Sequence, residues 1–190
     1  HYGIPDRRFI ADGSKAKSIT QSQLAKVVDT HVRMSLELQQ AFGLRREEAI
    51  KFQPSFADRG EQIVLKASWT KGGKDRSIPI RTEAQRDVLD RARNLAGLGS
   101  LIPSNRNYVQ QMRIYERDTL RAGLSNMHGL RHAYAQHRYE EMTGWKCPAA
   151  GGPVKGSLTL EQRAVDREAR LTISHELGHE REQITAAYCG

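Results

Sequence analysis

Only one stretch of this chain departs from the spacing of helices. Residues 61–69, EQIVLKASW, are rich in β-formers, RSIPI at 76–80 is a second short strand, and TKGGKD at 70–75 reads as the turn between them. The other regular patterns have the helical period. From Ile19, the residues Leu24, Val27, Val28, His31, Met34, Leu38 and Phe42 form a helical stripe that Gly43 should end. A second short helix is expected from about Arg45 to Phe52. Thr82-Glu83-Ala84-Gln85 has the form of a capping box opening the next helix. Further helices are expected at about 105–121, 128–142 and 159–178, with the Gly/Pro-rich loop TGWKCPAAGGPVKGS (143–157) between the last two. One hairpin among helices places the chain in the α+β class, mostly α with a small antiparallel β-sheet. Residues 1–17 lack a period and read as a linker, and 18–190 read as one domain without internal repeats.

Composition narrows the function. Hydrophobic content of 38% and charged content of 27% fit a folded globular protein. No apolar run approaches the roughly 20 residues of a membrane span. A formal charge of +8 points to a polyanionic partner, nucleic acid first. Two cysteines, Cys147 and Cys189, suggest no disulfide framework and are compatible with a reducing cytoplasm. The chain begins at His1 without a signal-peptide pattern, so the expectation is a piece of a longer protein.

Near the C-terminus, His175-Glu176-Leu177-Gly178-His179 satisfies the HExxH pattern of zinc proteases. On a helix the two histidines would lie one turn apart, with Glu176 placed to activate a zinc-bound water. Catalytic zinc needs a third protein ligand. In the metzincin extension a glycine and a histidine would stand where this chain has Glu182 and Thr185. The zinc reading is therefore disfavoured, and His175 and Glu176 are read as an ordinary last helical turn.

A second constellation uses the whole chain. GLRREE places Gly43-Leu44-Arg45 before Glu48 at a helix start, TKGGKD places Lys71 in the hairpin turn, and HGLRH places His128 and Arg131 on one helix face. Leu177-Gly178-His179 and Tyr188 follow. In that order, from about residue 20 to 190, the chain resembles the catalytic domain of the tyrosine recombinases, the family of phage and mobile-element integrases and Xer-type resolvases. Each residue has a structural alternative: Arg45 pairing with Glu48, Lys71 as a solvated turn lysine beside Lys66 and Lys74, Arg131 as a surface cation, Tyr188 as a core tyrosine. His132 is read as packed behind the active-site helix, and His137 as exposed.

The resemblance implies a site-specific DNA recombinase or integrase that cleaves and rejoins strands through a 3′-phosphotyrosyl intermediate, without metal or cofactor. Arg45 and Arg131 would clamp the phosphate, since a planar guanidinium meets two oxygens and stays protonated. His128 and His179 would donate to that phosphate or handle the nucleophile's proton. Tyr188 would attack, and Lys71 would protonate the departing 5′-oxygen, the choice between Lys71 and Lys74 being open. Unbroken helix would separate His179 from Tyr188 by about 13 Å. A turn after Gly178 and a new short helix in REQITAAY are therefore expected. The implied partners are double-stranded DNA and, in the full-length protein, three further copies in a tetramer, in the cytoplasm on the nucleoid and not on a membrane. A type IB topoisomerase-like strand transferase and a non-catalytic DNA-binding module are the alternatives; a DDE transposase is disfavoured because the expected site holds cations, not carboxylates.

Three features depart from the family pattern. The stretch between Arg131 and His179 is longer than in compact members, through the loop at 143–157 and the charged LEQRAVDREARL segment. The N-terminal DNA-clamping domain is missing from the sequence, so this piece by itself is not expected to encircle DNA. Only Cys189 and Gly190 follow Tyr188, where many relatives continue into a helix that docks on a neighbouring subunit.

Overall fold

The computed structural model describes residues 14–190; most of the expected 1–17 linker lies outside the described residues. The chain forms two compact units, one of residues 16–134 and one containing residues 135–190. They are described in turn.

The first unit opens with α1 (Gln21–Ala25) and α2 (Thr30–Phe42), where the apolar stripe predicted one continuous helix from Ile19. The break has a local cause. Asp29 caps α2, its carboxylate accepting from the backbone N–H groups of His31 and Val32. Its own N–H donates to the buried Asp118, and Arg106 Nη1 bonds its other oxygen at 2.6 Å. Long-range partners therefore fix an interruption that the stripe does not announce, and Val28 falls outside the core at 79% exposure. Gly43 ends α2 as expected, in the left-handed conformation at φ 66°.

Two short helices follow, α3 (Arg46–Lys51) and α4 (Pro54–Ala57). The hairpin pairs β1 (Gln62–Leu65) with β2 (Arg76–Pro79) antiparallel, with Ile63 opposite Ile78 and Leu65 opposite Arg76. Strand β1 is shorter than the β-rich run predicted, because Ala67–Trp69 turn into a 3-10 helix. There the Ala67 N–H donates to Asp75, and Trp69 packs against Phe52 and Phe56. The predicted capping box at Thr82 and Gln85 starts α5 (Glu83–Ala96), and Asn107 with Gln110 caps α6 (Tyr108–Arg121) in the same way. The Gln85 amide also donates to the Ala41 carbonyl, tying α5 to α2. A core of Leu24, Val27, Val32, Leu36, Ile50, Tyr115, Leu124 and Leu130 joins α1, α2, α3 and α6 to the start of α7 (Gly129–Thr143).

In the second unit, α8 (Leu160–Glu176) is capped by Thr159 and Gln162, and Leu177-Gly178 end it. Gly178 takes φ 81°, and the His179 N–H returns to the Ser174 carbonyl at 2.8 Å. A 3-10 turn at Glu182–Thr185 then leads into the one-turn helix α9 (Ala186–Cys189). The turn and short helix expected after Gly178 are both present. Two 3-10 turns, Pro148–Ala150 and Lys155–Ser157, give the Gly/Pro-rich loop a defined path. Among the described residues no helix is long and apolar enough to cross a membrane.

Candidate active site

Glu48 organises the first unit's part of the site. It is fully buried on α3, and its carboxylate accepts from the Arg45 backbone N–H at 2.8 Å and from Arg45 Nη1 at 3.1 Å. Arg76 meets the same carboxylate with both terminal nitrogens, at 2.6 and 2.8 Å. Burial alone would raise the Glu48 pKa. The hydrogen bonds and charge of Arg76, with the charge of Arg131 and the Arg45 N–H, outweigh it and bring the carboxyl down to about 2. Glu48 therefore stays ionised and fixes the root of Arg45, whose side chain remains 21% exposed. The pairing of Arg45 with Glu48 that seemed to compete with a catalytic role is the contact that orients this guanidinium.

Sequence reading missed Arg76. The signal was available: strand alternation puts residue 76 on the same buried face as Ile78, and a buried arginine needs a buried carboxylate.

Arg131 is not a surface cation. It is 1% exposed, and its Nη1 donates to the Gly43 carbonyl at 2.7 Å. Gly43 is needed here for two reasons: its φ is positive, and a Cβ on it would lie 2.6 Å from Tyr134 Cδ1. The motif glycine thus lets the chain turn between α2 and Arg45 and puts its carbonyl within reach of Arg131. His128 stands just before α7, solvent-accessible, with its ring edge-on to that of the buried His132 at 5.5 Å. Partial burial, then the guanidiniums of Arg131 and Arg45, hold its imidazole below the ordinary histidine pKa. Arg131 reaches the carbonyl of Gly43, two residues before Arg45, and His128 lies three residues before Arg131.

Lys71 lies in the exposed hairpin turn, as predicted. Lys66 is committed elsewhere, its ammonium bonded to Gln53 and lying over the rings of Phe56 and Trp69. That leaves Lys71 and Lys74, both exposed, as the turn's candidate acids.

His179 and Tyr188 belong to the second unit. His179 is half-buried just after Gly178, and Tyr188 is buried on α9, its carbonyl accepting from Gln136 Nε2 at 2.9 Å. Of the HExxH residues, His175 is exposed, and Glu176 is buried in an ion pair with Arg138 at 3.0 Å. Among the described residues no three His, Cys, Asp or Glu side chains form a metal-binding group. His137 is exposed and pairs with Glu141.

A hairpin-bearing helical unit that gathers two arginines and a histidine, followed by helices ending in a tyrosine, is the catalytic-domain fold of the tyrosine recombinases. Lambda integrase in a dimer bound to a COC′ core site matches at a TM-score of 0.57 and 20% identity, over 89% of this chain and 45% of that one. The lambda integrase tetramer bound to a Holliday junction matches at 0.53 and 17%, over 88% and 48%. XerH site-specific recombinase in its pre-cleavage complex with difH matches at 0.51 and 17%, over 90% and 48%. The chain thus spans about half the length of these proteins. An integrase family model matches residues 7–137, and the chain belongs to the integrase family. No curated protein matches it.

Proposed function

We propose that this chain is the catalytic part of a site-specific recombinase that breaks and rejoins DNA through a tyrosine ester and without metal. The observation that carries the reading is the pair of oriented arginines, Arg45 on Glu48 and Arg131 on the Gly43 carbonyl, with His128 in their field. A phosphodiester under in-line attack gathers negative charge on its non-bridging oxygens, and fixed guanidiniums answer that charge without reorganising. The Tyr188 oxygen attacks phosphorus and forms the 3′-phosphotyrosyl bond while the bond to the 5′-oxygen breaks. The phenolic proton passes to a histidine, and Lys71 supplies a proton to the 5′-oxygen. The lowered pKa of His128 supports its role as an acceptor, because the neutral imidazole predominates near neutral pH. Religation by another strand's 5′-hydroxyl reverses the steps and frees Tyr188.

The partner under this reading is double-stranded DNA, and the net charge of +8 supports it. Four copies of the full-length protein assemble on DNA at the nucleoid, as lambda integrase forms a tetramer on a Holliday junction. The linker and domain assignment, 1–17 and 18–190, belongs to this reading also.

A nicked suicide substrate carrying the cognate site tests it. Unaltered protein should form a covalent adduct in the presence of EDTA, and Tyr188→Phe should form none while binding DNA normally. Persistent adducts in Tyr188→Phe would assign attack to another residue. Activity lost to EDTA would refute the metal-free step.

A further inference from the structure

The segment carrying Tyr188 is short, and four residues of helix have little stability of their own. Its main chain is nevertheless held from three directions within the second unit. At its start, the buried Thr185 hydroxyl donates to the Arg170 carbonyl of α8 at 2.9 Å. At its end, Cys189 is buried, as is Cys147 in the inserted loop. Gly190 packs so closely on the turn after Cys147 that a Cβ would lie 2.9 Å from the Ala149 nitrogen. The long insertion between Arg131 and His179 thus supplies the backstop for the last residues.

Between these anchors, the carbonyl of Tyr188 itself accepts from Gln136 Nε2. Gln136 lies on α7, 8% exposed, and its Oε1 accepts from the Ser14 hydroxyl at 3.0 Å. Both ends of the amide are engaged, which fixes its orientation.

We propose that Gln136 is a positioning residue for the nucleophile, its amide setting the main chain from which the Tyr188 phenol projects. This rests on the assignment of Tyr188 as the attacking group. In-line attack tolerates little displacement, and a misplacement of about 1 Å costs on the order of 100-fold in rate. Gln136→Met keeps the side chain's length and volume but donates nothing, and Gln136→Glu keeps the shape and places an acceptor against the carbonyl. Both should slow the single-turnover rate constant of adduct formation roughly 10- to 100-fold. DNA affinity and the fraction of protein that reacts should remain unchanged. A merely structural role would do the reverse, lowering the reactive fraction and the melting temperature while the surviving molecules kept the normal rate constant. Glu140→Gln, exposed on the same helix, is the control.

Rate constants within twofold of the unaltered protein, or a loss confined to the reactive fraction, would overturn the inference. Should the Gln136 variants fail to fold, Ser14→Ala removes the group that orients the amide at an exposed position. It should slow the same rate constant several-fold, and an unchanged constant would again overturn the proposal. Failure of the parent reading looks different: unaltered protein would then form no adduct through Tyr188 at all.

Discussion

Replacing Glu48 by glutamine tests whether one buried carboxylate holds the arginine side of the site. In the native protein that carboxylate is shielded from water and faces Arg76 with two short bonds and Arg45 with two more. Its pKa falls from 4.5 to about 2, and a difference of that size corresponds to about 3 kcal/mol of native-state stabilisation. Because the folded pKa lies below the unfolded one, the contribution is complete above about pH 4.5 and is lost as pH falls toward 2. Glu48→Gln leaves Arg76, 6% exposed, without its counter-charge, and removing one member of a buried pair costs roughly 3–5 kcal/mol. The assay is urea denaturation of both proteins across a pH series, reading the difference between them so that other carboxylates cancel. The difference should be about 3–5 kcal/mol at pH 7 and should shrink by about 3 kcal/mol toward pH 2. Activity at neutral pH should fall with it, since Arg45 loses its tether. A difference below about 1 kcal/mol, or one that does not change with pH, would refute the reasoning.

Two further perturbations separate chemistry from scaffold. Lys71→Ala should slow cleavage roughly 100- to 10,000-fold, and a substrate whose bridging 5′-oxygen is replaced by sulfur should restore most of the rate, because a thiolate leaves unprotonated; the same substrate should not rescue Arg45→Ala or Arg131→Ala. A sulfur-rescuable defect in Lys74→Ala instead would move the acid to that lysine. Gly43→Ala should destabilise the first unit by at least about 1–2 kcal/mol from its left-handed backbone alone. It should lose more through the collision with Tyr134, and a melting temperature equal to that of the unaltered protein would contradict the packing described.

What could be read from the sequence was whatever short-range chemistry determines. The Thr82 capping box, the αL stop at Gly43 and the turn at Gly178 each depend on a few adjacent residues, and each occurs where predicted. The order of Arg45, Lys71, His128, Arg131, His179 and Tyr188 likewise pointed to a family without reference to any contact. Tertiary structure decided matters that depend on partners distant in the chain. Asp29 breaks the predicted long helix because Arg106 and Asp118, both remote in sequence, meet it. Strand alternation put position 76 indoors, but only packing against α3 could supply Glu48 as the counter-charge that lets an arginine be buried. Gln136 carries no motif at all: its amide acquires meaning only where folding brings it to the carbonyl of a residue 52 positions away. Local capping and turn energies are encoded within a few residues, whereas a buried charge or amide is stable only beside a partner that the completed fold provides.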